Sequence, residues 1–357
     1  MTATTNESEV SGVRETVAHR AHVGIVVIGR NEGVRLHHCL VSVVRQGGPM
    51  VYVDSGSSDD SVALARSFGL EVVELDSSLP FTAARARNAG LDKLVEVDRE
   101  LEFVQFIDGD CELVDGWLDD GLGELRTRMD VAVVSGRLRE SRPEASIYNR
   151  LCDMEWRLPI GEVQGCGGVM LARVEALRSV RGFDATIVAA EDTELCSRLR
   201  LQGWMILHVA ADMARHDAAI LHASQWWKRC VRAGYGFGQF SGYLGREGHS
   251  FFRKQARSVW FWGGVLPLVI LLLVWPSRGL SLFLLAGYPA HACRVYLRER
   301  RRNTTGRDAF LYALHCTLGK CPQIIGMLKY RFDRLRNKQG TIIEHKKPVC
   351  QPPQCDS

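Results

Sequence analysis

The first half of the chain alternates between continuous apolar runs and segments whose apolar residues recur at helical spacing. The apolar runs end in polar, glycine-containing loops, as is typical of strands buried on both faces. The predicted strands are residues 22–28, 50–53, 71–75, 103–107 and 131–137. The predicted helices are residues 36–45, 62–68, 82–94, 117–127, 174–180 and 193–202. Repeated strand, loop and helix units imply right-handed crossovers, so the pattern predicts an α/β fold with a parallel sheet.

The strand 103–107 ends in two carboxylates, Asp108 and Asp110, which are separated by Gly109. Residues two apart in a strand share a face, and the glycine lets a ligand approach closely. Carboxylate oxygens in this arrangement suit Mg²⁺ or Mn²⁺ shared with a diphosphate. A plain turn is the alternative, since Asp-Gly-Asp is common in turns. Ligands bind beyond the carboxyl ends of parallel strands, where the loops after residues 28, 53 and 107 also lie.

A second pair of carboxylates, Glu191 and Asp192, directly precedes the predicted helix 193–202. Carboxylates at a helix start are favoured by the helix macrodipole, so this pair also has a purely structural explanation.

Four motifs in this order resemble a family 2 glycosyltransferase of the GT-A fold. They are V-V-I-G-R-N-E, V-D-S-G-S-S-D, D-G-D and G-F-D-x7-E-D-T-E-L-C-x-R-L, and the resemblance extends from residue 23 to about residue 236. It implies a GT-A α/β fold with a Rossmann-like mixed sheet. It also implies direct displacement at the anomeric carbon, with inversion.

The resemblance assigns roles to individual carboxylates. Asp54 corresponds to the residue that holds the nucleobase, with capping of the following turn as the alternative. Asp108, Gly109 and Asp110 correspond to the metal and diphosphate motif, with Asp110 as the better candidate for direct coordination. A divalent ion there would neutralise the leaving diphosphate. Asp192 corresponds to the base that takes the proton of the acceptor hydroxyl.

Three further residues are weaker candidates. Glu32 and Arg87 could contact the nucleotide, with a surface ion pair as the alternative for each. His216 lies where related enzymes sometimes place a histidine near the diphosphate, with a structural histidine as the alternative. The segment 225–229, Q-W-W-K-R, resembles the Q-x-x-R-W motif of processive polysaccharide synthases but has Lys where Arg is expected and Arg where Trp is expected. This departure favours transfer of single sugars.

The C-terminal part has a different pattern, in which basic residues flank apolar runs at 259–275 and 280–293. The pattern predicts an apolar hairpin, 259–293, that spans or re-enters a membrane, with cytoplasmic ends by the positive-inside rule. A buried helical hairpin of a soluble protein is the alternative. Residues 309–328 are predicted to form an amphipathic interfacial helix broken near Pro322. The predicted divisions are a disordered segment 1–21, a GT-A domain 22–245, a membrane-associated region 246–335 and a basic tail 336–357.

Composition narrows the classes of function. The net charge of +4 is too small to indicate nucleic acid, and 11 scattered cysteines without a signal peptide indicate reduced thiols inside the cell. We therefore expect a metal-dependent transferase at the cytoplasmic membrane. Its donor would be a UDP- or GDP-sugar and its acceptor a lipid-linked or glycan hydroxyl of glycolipid or exopolysaccharide synthesis. The alternatives are a catalytically silent GT-A membrane subunit and, on weaker grounds, a nucleotidyltransferase.

Overall fold

The computed structural model describes residues 22–241, 250–302 and 304–338. Its strands form one sheet. They are β1 (Val23–Gly29), β2 (Met50–Asp54), β3 (Glu71–Glu74), β4 (Phe103–Asp108), β5 (Cys111–Leu113), β6 (Val131–Glu140), β7 (Gly161–Glu162), β8 (Met170–Arg173) and β9 (Met205–His216). The predicted disordered segment 1–21 and residues 339–357 of the predicted tail lie outside the described residues.

The sheet is mixed, with the order β3-β2-β1-β4-β8-β6-β9-β5 and with β7 paired to β9. Strands β1 to β4 are parallel, as the repeated crossovers predict. Strand β8 is antiparallel to both β4 and β6, so the sheet is mixed, as the resemblance to the GT-A fold implies. Strand β8 directly follows a glycine-dense loop, residues 164–168 (Q-G-C-G-G), and not a crossover helix.

Helices cover both faces of the sheet and continue beyond it. Those of the first part are α1 (Val34–Val44), α2 (Ser61–Ser67), α3 (Ala83–Val97), α4 (Trp117–Thr127), α5 (Ile147–Glu155), α6 (Val174–Ser179) and α7 (Glu191–Leu201). Those of the second part are α8 (Ala223–Ser241), α9 (Ser250–Val259), α10 (Leu266–Leu273), α11 (Gly287–Arg300), α12 (Gly306–Leu318) and α13 (Lys320–Leu335). A π-helical turn, Trp260–Val265, joins α9 to α10, and a 3-10 segment, Leu280–Ala286, precedes α11.

Two apolar cores follow from the alternation of side chains along the strands. Side chains of β1 that point to one face, such as Ile25, pack with α1 and α4 through Leu36 and Trp117. Those that point to the other face, such as Val26, pack with α3 and α7 through Leu94 and Leu195. The sheet is therefore the middle of three layers, and its carboxyl edge stays open for a site.

The C-terminal helices pack closely against one another. A Cβ at Gly234 of α8 would lie 2.0 Å from the Gln323 carbonyl oxygen, and one at Gly326 of α13 would lie 2.0 Å from the Val231 carbonyl oxygen. The helical segment 309–328 is interrupted near Pro322, as predicted, but the break lies at Gly319, where α12 and α13 meet. Pro322 lies in the first turn of α13. Backbone N–H groups there have no partner within the helix, so proline, which lacks this group, is tolerated.

The apolar hairpin carries its hydrophobic side chains outward. Among the described residues, one helix, Phe252–Leu273, is long and apolar enough to cross a membrane. Its first half packs on the protein, with Ala256 and Val259 in contact with the buried core of α13. Beyond it, Leu271 is 70% exposed, Trp275 90% and Phe283 78%. The apolar surface therefore lies at the tip of the hairpin.

Candidate active site

The loops after β1 and β2 are tied to each other at the carboxyl edge of the sheet. Asn31, which has a left-handed backbone (φ 54), accepts a hydrogen bond from the backbone N–H of Ser58 at 2.7 Å. Its own N–H donates to Ser57 Oγ at 3.0 Å. The N–H of Gly33 donates to the Asp59 carboxylate at 3.2 Å. These bonds give the site a preformed wall.

Asp54 is buried at the end of β2, and its own loop occupies both of its oxygens. Oδ2 accepts from the N–H groups of Gly56 at 2.9 Å and Ser57 at 2.7 Å. Oδ1 accepts from Tyr52 Oη at 3.0 Å and Ser57 Oγ at 2.5 Å. The turn-capping role that the sequence left open is therefore present, and binding of a nucleobase stays a prediction.

Glu32 lies against Gly109, the middle residue of the Asp-Gly-Asp turn. The Glu32 carboxylate is 14% exposed and pairs with Arg35 at 2.8 Å, so its ion pair is largely buried. The N–H of Gly109 donates to the Ile28 carbonyl at 2.7 Å, and a Cβ at Gly109 would lie 3.3 Å from Glu32 Cγ. Glu32 therefore packs against the turn that presents the two aspartates.

Arg87 links the two carboxylate motifs. Its guanidinium donates to Asp108 at 2.8 Å and to Glu191 at 2.7 Å, and its side chain is 2% exposed. The alternative of a surface ion pair is therefore wrong, because both pairs are made by a buried arginine. A Cβ at Gly168 would lie 2.0 Å from Arg87 Nη2, so the glycine-dense loop makes room for the guanidinium. Burial lowers the pKa of Arg87, but the carboxylates of Asp108 and Glu191 more than reverse this effect.

Asp192 lies in the first turn of α7, directly after Ala190, whose left-handed backbone (φ 64) starts the helix. The helix begins two residues earlier than predicted, so both acidic residues belong to it. Asp192 accepts from the Thr193 N–H at 2.6 Å. Burial and the neighbouring Glu191 carboxylate raise the pKa of Asp192 to about 7, against the opposing effects of Arg87 and Thr193.

Asp110 and His216 are brought together by strands β5 and β9. Cys111 of β5 lies opposite His216 of β9, which places His216 Nε2 3.3 Å from Asp110 Oδ1. The ligand atoms of Asp110, Cys111 and His216 all lie within 4.8 Å of one another. Desolvation by burial and the Asp108 charge hold the pKa of the Cys111 thiol well above its ordinary value, so Cys111 is a poor ligand.

The surroundings of His216 fit a metal ligand. Burial lowers the pKa of His216, although Asp108 and Glu140 oppose this, so the imidazole is neutral near pH 7. Its ring packs edge-on against Trp156 at 4.6 Å, and its Nδ1 atom is buried without a hydrogen-bond partner. A carboxylate and a neutral imidazole at this separation could hold a divalent cation; the carboxylate suits Mn²⁺ or Mg²⁺, whereas the imidazole suits transition-metal ions better than Mg²⁺.

The residues joined by Arg87 line one end of a cleft of about 1620 Å³ that continues between the C-terminal helices. Asp108 and Asp192 both line this end, whereas Asp110 and His216 are not among its lining residues. Ordinary ligand pockets measure about 300–1,000 Å³, so the cleft has room for two substrates.

Two contributors to the site were not predicted. Glu191 was interpreted only as a helix-start residue, and its pairing with Arg87 joins positions 104 residues apart, which no local pattern reveals. Glu140 accepts from the N–H of Ala218 at 3.0 Å and from Asn149 Nδ2 at 2.9 Å, and so positions the chain after His216. The fully buried Asn149 gave no signal in the sequence.

The mixed sheet, with carboxylates at its open edge, has the architecture of the GT-A fold. Residues 24–165 match the family model described as glycosyl transferase family 2. The resemblance found in the sequence is confirmed for the domain and the fold.

Relatives agree with this assignment. The chain is 30% identical over 217 residues to the pre-mycofactocin glycosyltransferase of Mycobacterium tuberculosis, an alignment that covers 56% of this chain and 43% of the relative. It is 23% identical over 262 residues to glycosyltransferase AglE of Haloferax volcanii, with 69% and 81% covered. The mannosyltransferase PcManGT of Pyrobaculum calidifontis, solved in complex with GDP-Man and Mn²⁺, is 17% identical, covers 92% of this chain and 96% of its own, and has a TM-score of 0.54. The chain spans less than half the length of the first relative, and the structural likeness shows the fold alone.

Proposed function

We propose that this protein is an inverting glycosyltransferase that moves one sugar from a UDP- or GDP-sugar to a hydroxyl of a lipid-linked or glycan acceptor. The observation that carries the proposal is the buried bridge from Asp108 through Arg87 to Glu191, beside Asp192. It joins the end of β4 to the start of α7, so that Asp108 of the proposed donor-side motif and Asp192 of the proposed acceptor-side motif line one cleft.

The donor side would be formed by the edge loops. Asp54 and Glu32 shape the two loops that would face the nucleotide, and Arg87 supplies a fixed positive charge beside Asp108. Asp110 and His216 would hold a divalent ion, Mn²⁺ or Mg²⁺, which when bound supplies Lewis-acid neutralisation of the diphosphate. The structure of the Pyrobaculum calidifontis mannosyltransferase in complex with GDP-Man and Mn²⁺ supports this role.

The acceptor side would depend on Asp192. A carboxylate whose pKa is about 7 is deprotonated for a large part of the time at neutral pH, yet is a stronger base than an ordinary aspartate. It would take the proton of the acceptor hydroxyl as that oxygen attacks the anomeric carbon from the face opposite the diphosphate. Direct attack of this kind inverts the anomeric centre.

Single-sugar transfer is supported by the segment 225–229. Gln225 accepts from the N–H groups of Leu221 at 2.9 Å and His222 at 3.0 Å and so caps the start of α8. Arg229 pairs with Glu155 at 2.7 Å. Gln225 and Arg229 thus both have structural partners within the protein.

We place the protein at the cytoplasmic face of the membrane. The exposed part of the apolar helix, from Phe261 to Leu273, is about 20 Å long at about 1.5 Å per residue, which is shorter than a hydrocarbon core of about 30 Å. The exposed tip therefore favours insertion of the hairpin into one leaflet. Arg253, Arg257 and Arg278 flank it, as suits an anionic cytoplasmic surface.

The experiment that tests the transferase uses the full chain, Mn²⁺ or Mg²⁺ and a panel of nucleotide sugars. A donor that binds should raise the melting temperature by mass action. With that donor, Asp192→Asn should lower turnover by about 10²–10⁴-fold, the usual contribution of a general base, and leave donor affinity unchanged. NMR of the product should show the anomeric configuration opposite to that of the donor.

The matched control is Asp120→Asn, which removes a carboxylate from the first turn of another helix, α4, outside the cleft. It should leave turnover unchanged. Equal turnover of the Asp192→Asn variant and the unaltered protein would end the assignment of the base. Donor binding without transfer to any acceptor would instead support the catalytically silent subunit.

A further inference from the structure

The cleft that begins at the carboxylates has a second, basic half. At the Asp192 end it is lined by Asp108, Glu191 and Asp192. Its further basic lining residues, here called the basic half, are contributed by α8, α9, α11 with the residue that follows it, and α13: Arg232, Lys254, Arg294, Arg298, Arg301 and Lys320. The remaining acidic lining residue, Glu155, is already paired with Arg229 at 2.7 Å. The two halves of the cleft therefore differ in charge, and we expect them to contact chemically different parts of a ligand.

Lys320 is the distinctive residue of the basic half. Its side chain is 8% exposed, it lines the cleft, and within the described part of the chain it makes no hydrogen bond or ion pair. Its backbone is fixed, because a Cβ at Gly263 of the crossing helix would lie 2.3 Å from the Lys320 carbonyl oxygen. A positive charge on a largely buried lysine without an acidic partner is unfavourable, so its position on the cleft indicates an anionic ligand.

The neighbouring arginines could share that ligand. Arg294 and Arg301 line the same space and have no acidic ion-pair partner among the described residues. Arg298 uses Nε to contact Glu299 at 3.2 Å. A group with several anionic oxygens could be bound by the ammonium and the guanidinium donors together, which is the arrangement that phosphate favours.

We propose that the basic half of the cleft binds a phosphate group of the acceptor, held by Lys320 with Arg294 and Arg301, while the acceptor hydroxyl faces Asp192. The inference rests on the proposed transferase function and specifies its acceptor as a phosphate ester. The phosphate could belong to a lipid or to a water-soluble compound. The lipid source is supported by the crossing helix, since the exposed apolar residues Phe261 and Val265 flank Gly263, which touches Lys320.

The test measures binding by the full chain in a neutral detergent, with dodecyl phosphate and glycerol 3-phosphate as probes. Lys320→Gln should weaken binding of the phosphate probe by at least about tenfold, as for loss of a charge-assisted contact, and Lys320→Arg should restore part of it. Lys329→Gln is the matched control, since Lys329 lies on the same helix but is exposed outside the cleft. Binding of UDP or GDP with Mn²⁺ should be equal in all variants.

The outcomes separate the possibilities. Stronger binding of dodecyl phosphate than of glycerol 3-phosphate identifies a lipid source, and equal binding identifies a soluble ester. Absence of binding by both probes, or an equal loss in the Lys329→Gln variant, would overturn the proposal. If Lys320→Gln does not fold, the exposed pair Arg294→Gln and Arg301→Gln decides in its place. Phosphate binding that depends on Lys320 in a protein that binds no donor would refute the transferase and leave the phosphate site standing.

Discussion

Replacing Arg87 by methionine tests the buried bridge most directly. The change keeps a long apolar stem but removes the guanidinium that donates to Asp108 and Glu191. Two carboxylates are then left facing the space that the positive charge had filled. Glu191 is only 8% exposed, whereas Asp108 is 35% exposed and can regain water. The uncompensated charge of Glu191 should therefore dominate the loss.

Breaking a buried pair by removing one partner costs about 3–5 kcal/mol. Because water can reach Asp108, we expect the lower end of the range, about 3 kcal/mol. At about 2–4 °C per kcal/mol for a domain of this size, the melting temperature should fall by about 6–12 °C. The Arg87 charge also lowers the pKa of Asp192, so its removal should move the activity of the variant to higher pH.

Thermal unfolding of the Arg87→Met protein measures the first effect, and a pH profile of turnover measures the second. Arg66→Met is the matched control: Arg66 pairs with Glu74 at the same 2.7 Å distance, but the two side chains are 60% and 59% exposed. Surface pairs contribute about 0–1 kcal/mol, so the control should melt close to the unaltered protein. If both variants lost the same stability, the reasoning from burial would be refuted.

Three further predictions concern pH, metal and membrane. Because the pKa of Asp192 is raised to about 7, the carboxylate is protonated at lower pH and cannot act as the base. The value of kcat/KM should therefore rise with pH through about 7 and then level off, and a flat profile would contradict the assignment. Asp110→Asn and His216→Ala should each weaken Mn²⁺ binding in the presence of UDP, measured by calorimetry, by at least about tenfold, and unchanged affinity would exclude the pair as ligands. The protein should float with anionic vesicles and a Leu271→Glu, Leu272→Glu variant should not, because the exposed tip would then carry charge; equal flotation would rule out insertion through that tip.

The parallel half of the sheet was predictable because its information is local. Each apolar run of β1, β2 and β4 ends in its own polar loop, and parallel strands bring those loops to one edge. The position of Asp108 and Asp110 after Ile107 therefore followed from the strand pattern. The short β5 immediately after this turn was missed, since three residues, Cys111–Leu113, carry too little periodicity to indicate a strand.

The remainder depends on contacts between distant segments. Arg87 and Glu191 were visible as single charged residues, but their pairing requires α3 and α7 to pack on the same face of the sheet. Strand β9 was not among the predicted strands, because polar residues interrupt its apolar run. Its pairing with β6 shifts register at three places. Lys320 was taken for a charge on an amphipathic helix, and only the crossing with Gly263 shows that it is buried.

The charge balance at the site links its stability to its proposed chemistry. Three carboxylates, Asp108, Glu191 and Asp192, lie around the single guanidinium of Arg87, which contacts only the first two. Burial desolvates Asp192 and is the largest reason why its pKa is raised; the charge of Glu191 adds to this effect and that of Arg87 opposes it. An aspartate with an ordinary pKa near 4 would be a much weaker base toward a hydroxyl at neutral pH. Proton removal from the acceptor would thus depend in part on Glu191, which lines the same cleft and acts through the pKa of Asp192.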